Sequence, residues 1–468
     1  MNDKPYTRSE MSRRYYELSP EGRHKVNQEV DQRFRKETGV NRQLDWNAPE
    51  DRPLARRWLR IRDKVVEEES TKGNTRTMDL SPMTIEVDLR SADNKINLPP
   101  PHSELTQAIV DKFSEIDKDK DAFLSKQEID KALQDPNISK GSKHGAMVAT
   151  LKKHLADLVR AISSRDEGVW ASLYGNKRPE AITRADVTAY DRLRLKNPQD
   201  SGIRLTENAY YYAKDKIETI ESIDYKLFTS TVDPSQVKQA EIGDCWLLAA
   251  IVGTALRLEG GEIRGMIQPL EGDRFSVFFP GLTKQGRPPI TVSKPTDGEI
   301  GIFSSAGANG LWLTVLEKAY GASVNRDAVE KTEFDAADVG HWGEEGIELV
   351  TGNSVDTDKL YLTSKKKTRT KLQQAFEKNK VVTALIRRAF FGGELLQYRS
   401  NGLPMGHQYT VLGFDASNDV IRLRNPWGNN PWETEGKPHP SITSIGRGMF
   451  EMSLDDFDKY FSEISYEE

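Results

Sequence analysis

The apolar positions of this chain follow three different rhythms. Residues 246–256 (WLLAAIVGTAL) are apolar all round, as in a helix buried on every side, and Gly243 and Asp244 just before them suit a turn and a first-turn carboxylate. Upstream, Leu105, Ile109, Phe113 and Ile116 recur at helical spacing, and residues 147–163 (MVATLKKHLADLVRAIS) form an amphipathic helical pattern. Downstream, a β-rich run opens at His407 and continues through Tyr409, Val411, Leu412 and Phe414. A polar turn follows at residues 415–419, and a second run (Val420, Ile421, Leu423) ends at Asn425, which together predict a hairpin. Helical patterns early and β patterns late predict an α+β, multidomain chain.

Near the start, Pro53 precedes an apolar stripe of Leu54, Trp58, Ile61 and Val65, with Arg56, Arg57, Arg60 and Arg62 largely off it. Residues 1–66 are therefore expected to be a separate helical region whose basic face is either solvated or suited to an anionic surface. Residues 67–101 are polar and end in prolines, which predicts an exposed linker.

With 468 residues, two or three domains are expected, and 36% hydrophobic with 30% charged residues is ordinary for a soluble globular protein. A formal charge of −5 gives no global case for nucleic acid. The opening MNDKPYTRSEMSRR lacks an apolar signal core and the stretch near 245–256 is too short to span a bilayer, so a cytoplasmic location is the default expectation. Oligomeric state leaves no mark in the sequence.

Chemistry enters with the single cysteine, Cys245. A lone thiol forms no intramolecular disulfide, so it is either a core filler or a nucleophile. At the N-terminus of the predicted helix, unsatisfied N–H groups and the macrodipole favour thiolate over a thiol that otherwise titrates near ~8.5. A nucleophile needs a base. If the hairpin turn centres on 416–417, His407 and Asn425 are near-opposite partners about 4.5–5.5 Å apart at Cβ, and the amide holds the imidazole in one tautomer. A Cys–His–Asn arrangement follows: Cys245 as nucleophile, His407 as base then acid, Asn425 as orienter.

Three blocks carry a resemblance to the calpains, papain-like cysteine proteases. QAEIGDCWLLAAI resembles their nucleophile block, GLPMGHQYTVLGF their histidine block and IRLRNPWG their asparagine block, in the family's order. GLWLTVLEKAYG, GEEGIELVTG and GRGMFEMSLDDF are also similar, so the likeness covers about residues 225–468. The resemblance implies that Gln239 is the side-chain donor of an oxyanion hole, with the Cys245 N–H beside it, and that Trp427 shields the Cys–His pair. It implies a two-lobed papain-like core, residues 225–358 carrying Cys245 and residues 359–468 carrying His407 and Asn425. Its cleft would take an extended protein or peptide substrate for limited proteolysis through a thioester acyl-enzyme. Two rivals from other classes are a transglutaminase-like acyltransferase, which would use the same side chains, and a non-catalytic calcium-responsive binding protein.

A second chemical signal is DKDKDAFLSKQE. Asp117, Asp119 and Asp121 occupy positions 1, 3 and 5 of a twelve-residue loop, Phe123 offers its carbonyl, Ser125 fits position 9 and Glu128 closes the loop, the pattern of an EF-hand calcium site. Ser125 and Glu128 also form a capping box for the exiting helix. Position 6 is Ala122 where the motif uses Gly, and a left-handed Ala costs about 1–2 kcal/mol, roughly 5- to 30-fold in affinity. Residues 102–196 are thus expected to be an EF-hand-like helical module. Ile182, Thr183 and Asp186 mark a degenerate second loop near 175–186, where GNKRPE lacks the carboxylates that the motif uses as ligands. Residues 197–224 form a connecting helix. The calcium sites that the resemblance implies within the protease core transfer poorly: Glu345 matches one ligand, but Gln236, Pro431, Arg447 and Met449 stand where acidic residues are expected. Calcium control is therefore expected to run through Asp117–Glu128 alone.

Overall fold

The computed structural model describes residues 102–163, 181–240, 242–325, 332–386, 403–432 and 441–468, with short stretches at 29–30, 33–38, 61, 64–65, 390–391 and 394–395. The chain divides into two units, one of residues 1–96 with 389–395 and one of the remainder. In the first, the described residues up to 65 are helical, and Val30, Phe34, Ile61 and Val65 are buried. Ile61 and Val65 belong to the apolar stripe of the sequence; Leu54, Trp58, the four arginines and the linker 67–101 lie outside the described residues.

The second unit opens with helices α1 (Glu104–Ile116), α2 (Lys126–Gln134) and α3 (Gly141–Ser163), then α4 (Arg184–Lys196) and α5 (Ser201–Ser222). Ser103 caps α1 by accepting the Thr106 N–H, and Ser125 with Glu128 forms the expected capping box on α2. Thr183 and Asp186 form a matching box on α4. Strand β1 (Leu124–Ser125) pairs antiparallel with β2 (Ala181–Ile182), so two helix–loop–helix units meet through a two-residue ladder. Residues 175–180 of the second loop lie outside the described residues.

Helix α6 (Cys245–Ala255) follows, then a three-stranded antiparallel sheet of β3 (Ile267–Leu270), β4 (Arg274–Val277) and β5 (Ile290–Ser293). Helices α7 (Asp297–Ile302), α8 (Trp312–Asn325), α9 (Glu333–Ala337) and α10 (Gly343–Thr351) complete this part. Its apolar core is continuous with that of α1–α5, Leu105 through Val252 and Val350 forming one cluster. The upstream helices therefore share one apolar core with the part that carries Cys245. Gly301 shows why: a Cβ there would lie 3.0 Å from Ala149 on α3 and 3.4 Å from Ala213 on α5, so α7 packs close against both helices.

The second core belongs to a seven-stranded antiparallel sheet, ordered β10-β11-β9-β8-β7-β12-β6. Its strands are β6 (Val355–Lys359), β7 (Val382–Ile386), β8 (His407–Asp415), β9 (Val420–Arg424), β10 (Thr443–Gly446), β11 (Met449–Ser453) and β12 (Glu463–Glu467), with helix α11 (Lys365–Glu377) between β6 and β7. The boundary expected at 358/359 cuts through β6, which pairs with β12 from Val355 to Lys359. The alternating acids Asp356 and Asp358 disguise this strand as a loop; in the structure Lys371 reaches them at 2.5 and 2.6 Å. No helix among the described residues is long and apolar enough to cross a membrane.

Candidate active site

Helix α6 begins at Cys245, and every residue from Trp246 to Ala255 is buried, so the apolar run does what its pattern predicts. Cys245 itself keeps intermediate exposure. On the far side, β8 is a central strand whose first five residues are buried. Thr410 Oγ1 donates to the Ala249 carbonyl at 2.7 Å, and a Cβ on Gly253 would lie 2.7 Å from Val381 and 3.6 Å from Thr410. Helix and strand therefore run in the same direction, and their first residues, Cys245 and His407, lie towards the same end of the contact.

His407 is buried, and its Nε2 lies 2.8 Å from Asn425 Oδ1. That oxygen also accepts the Trp427 N–H at 3.0 Å, which fixes the amide orientation. A carbonyl oxygen only accepts, so Nε2 carries the proton and Nδ1 is left as the basic nitrogen. The hairpin differs from expectation in register. The turn spans 416–419, Thr410 pairs with Arg424, and a bulge lies between Val411 and Gly413, so His407 pairs across to Ile386 and Asn425 falls just beyond the ladder. The side chains meet diagonally rather than as direct partners. The Trp427 ring lies 4.7 Å from the imidazole at 44°, and Tyr409 meets it edge-on at 5.0 Å. Burial pushes the His407 imidazole down to about 4, opposed by its hydrogen bond to Asn425.

Gln239 lies beside the asparagine loop, its N–H donating to the Pro426 carbonyl at 2.8 Å. Its amide Nε2 donates to the Ile242 carbonyl at 2.7 Å and to Asp244 Oδ1 at 3.3 Å, so it is engaged within the 239–244 turn. Asp244 does not cap α6 as a first-turn carboxylate; its side chain is fully buried and faces Glu317 on α8. Two charged residues near the site escaped the sequence reading. Glu317 sits in GLWLTVLEKAYG, where an acid inside an apolar helical run is the available signal. Arg424 is 1% exposed and donates to the Val237 carbonyl at 2.5 Å and the Ser235 carbonyl at 3.1 Å, tying the Gln239 segment to the strand that ends at Asn425. The alternation of VIRLR puts Arg424 on the polar face with Arg422, so nothing in the pattern singled it out.

In the upstream loop, Asp117, Asp119 and Glu128 bring carboxylate oxygens within 4.8 Å of one another, and Asp117 Oδ1 is buried without a hydrogen-bond partner. Ala122 adopts φ +68°, the left-handed conformation that its position requires. Glu128 accepts from Lys118 N at 2.8 Å, Ser125 N at 3.0 Å and Ser125 Oγ at 2.8 Å. Burial works to raise its carboxyl, but these donors bring it below its ordinary value. Asp121 accepts the Phe123 N–H at 2.8 Å and lies outside the cluster, and the Ser125 hydroxyl donates to Glu128 at 2.8 Å. Glu345 is held by His341 at 2.9 Å and the Trp342 N–H at 3.3 Å, Gln236 bonds Asp233 at 3.3 Å, and Arg447 bonds Ser235 at 3.0 Å.

A family model described as calpain family cysteine protease matches residues 213–466. Calpain clp-1 of Caenorhabditis elegans is 27% identical over 268 residues, 51% of this chain and 33% of that protein. The calpain-2 catalytic subunit of Rattus norvegicus is 27% identical over 259 residues, 49% of this chain and 35% of that protein. The calpain-type cysteine protease DEK1 of Arabidopsis thaliana is 25% identical over 264 residues, 51% of this chain and 12% of that protein. The chain thus spans about a third or less of the length of these curated relatives. With a family match that runs over more than half of its residues, the chain belongs to the calpain family of cysteine proteases.

Proposed function

We propose that this calpain-family chain is an endopeptidase that uses Cys245, His407 and Asn425 to hydrolyse peptide bonds in extended protein segments. His407 Nδ1 takes the Cys245 proton, and the thiolate attacks the scissile carbonyl carbon. The imidazolium returns that proton to the leaving amine as the C–N bond breaks, leaving a thioester. Water, deprotonated by the same Nδ1, then releases the acid and restores the thiol. Asn425 keeps the proton on Nε2 throughout, and Trp427 covers the imidazole. Gln239 and the Cys245 N–H serve the developing oxyanion. The observation that carries this reading is the His407–Asn425 bond at 2.8 Å, with Trp427 donating to the same oxygen.

Calcium modulation through the upstream loop is part of the proposal. Asp117, Asp119 and Glu128 would hold the ion, whose charge would offset three converging carboxylates. The buried, unpartnered Asp117 Oδ1 supports the fit. Contacts run from this loop towards the nucleophile. Glu128 lies in the first turn of α2, Asp130 on α2 meets Lys152 at 2.5 Å, Lys152 meets Asp335 at 2.7 Å, and Asp338 accepts the Gly243 N–H at 2.6 Å, two residues before Cys245.

Turnover of casein and of a fluorogenic peptide by wild type and Cys245→Ser, each with calcium and with chelator, tests both parts. Hydrolysis lost in Cys245→Ser and raised by calcium is expected. Undiminished hydrolysis in Cys245→Ser defeats the catalytic reading; equal rates with and without calcium defeat the regulatory one.

A further inference from the structure

Directly behind Cys245, two carboxyl groups meet in the core. Asp244 and Glu317 are both 0% exposed. Asp244 Oδ2 and Glu317 Oε1 are reached by no N–H or O–H donor from elsewhere, yet the two side chains stand within hydrogen-bonding reach of each other. Their other oxygens are satisfied. Asp244 Oδ1 accepts from Gln239 Nε2 at 3.3 Å, and Glu317 Oε2 accepts the Ser304 N–H at 2.7 Å. Ser304 in turn accepts the Ala240 N–H through its hydroxyl at 3.1 Å, so the pair anchors both the side chain of Gln239 and the backbone after it. Two adjoining buried carboxylates cannot both be ionised, and a single proton between Oδ2 and Oε1 satisfies both orphaned oxygens.

The surroundings say where that proton resides. Burial raises the Glu317 carboxyl too, but the hydrogen bond from Asp244, the Ser304 donors and Lys216 on α5 all favour its ionised form, while Cys245 and Tyr320 are the other titratable groups facing Asp244. Asp338 bonds the Gly243 N–H on the solvent side. Burial and the neighbouring Glu317 raise the Asp244 carboxyl well above its ordinary range.

We propose that Asp244 is a positioning residue: a neutral acid that donates its proton to Glu317, steadies the Gln239 turn, and spares the thiolate at Cys245 a second anion one residue away. This rests on Cys245 being the nucleophile. Cys245 is the only cysteine in the chain, so its alkylation reads one site.

The test is the pH profile of iodoacetamide alkylation on full-length wild type, Asp244→Asn and Glu317→Gln. The Asn amide can donate to Glu317 as the acid does, so Asp244→Asn should hold the wild-type profile within about 0.3 pH units. Gln at 317 donates to Asp244 and lets it ionise, so Glu317→Gln should move the profile up by about one unit, tenfold slower alkylation at pH 6.5. It should lower kcat with little change in KM. Equal shifts in the two isosteres, or none in Glu317→Gln, would overturn the proposal. Should one variant fail to melt cooperatively, the infrared spectrum of wild type minus that of the other variant at neutral pH decides: a protonated-acid C=O stretch present in wild type and lost in the variant supports it, and no such difference refutes it. A wild-type thiol that alkylates like a free cysteine, with turnover surviving in Cys245→Ser, would instead sink the catalytic reading while leaving the infrared band to report the pair.

Discussion

Thr410 and Ala249 join the sheet to the helix: the Thr410 hydroxyl donates to the Ala249 carbonyl at 2.7 Å in a fully buried contact. The bond lies three residues from His407 and four from Cys245, so it sets how the two ends align. Thr410→Val keeps the shape and removes the donor. Urea unfolding should show a loss of about 1 kcal/mol, the typical net worth of one buried hydrogen bond. Peptide turnover should fall about tenfold in kcat with KM nearly constant, because misplacement of reacting groups acts on the transition state. An unchanged kcat would show that the alignment is held elsewhere.

Much of this was legible in the chain itself, and the misses have physical causes. The run from Trp246 to Ala255 and the Ser125–Glu128 capping box are local, so their residues alone specify them. The His407–Asn425 bond was expected, but its path was not: a bulge between Val411 and Gly413 changes the register, and alternation cannot reveal an inserted residue. Strand β6 was hidden because Asp356 and Asp358 are paid for by a lysine, Lys371, far along the next helix. The Asp244–Glu317 contact joins residues 73 positions apart, and nothing in either neighbourhood announces the other.

Buried His407 makes stability depend on acidity. Its ring is held neutral, with a folded value of about 4 against ~6.5 for an unperturbed imidazole. The unfolded chain therefore binds the proton more readily. The ring's contribution is fully present above pH ~6.5, declines as pH falls, and is gone below about 4, amounting to ~3 kcal/mol. Cys245→Ala isolates this effect from thiolate–imidazolium pairing. Denaturant unfolding of Cys245→Ala should weaken by that amount between pH 6.5 and 4, and the double variant with His407→Phe should lack that component.

Ala122 at φ +68° predicts a gain in calcium affinity from a single residue swap. Ala122→Gly removes the left-handed penalty of about 1–2 kcal/mol, so calcium affinity measured by calorimetry on chelator-treated protein should rise roughly 5- to 30-fold. Glu128→Gln, which removes a charge from the three-carboxylate cluster, should abolish the binding isotherm. Equal affinity in wild type and Ala122→Gly would mean that the ion does not use this turn.

Lys152 is where the helix that follows the acidic loop and the part of the chain that leads to Cys245 share a charge. Its side chain is 2% exposed and lies between Asp130 on α2 and Asp335 on α9. Burial acts to raise the Asp335 carboxyl, but the Lys152 contact helps bring it below its ordinary value. Lys152→Met keeps the apolar stem and leaves the two carboxylates facing each other without their cation. Thermal and urea unfolding should show a loss of about 2–4 kcal/mol, in line with breaking a largely buried ion pair by removing one partner. The same substitution removes the cation that bridges α2 and α9, leaving the Gln134–Glu333 bond at 2.6 Å between them, so the ratio of turnover with calcium to turnover with chelator should fall towards one, while calcium affinity at Asp117–Glu128 stays near wild type. A full calcium response in Lys152→Met would show that the loop acts on Cys245 by another route, through the shared apolar core rather than through this ion pair.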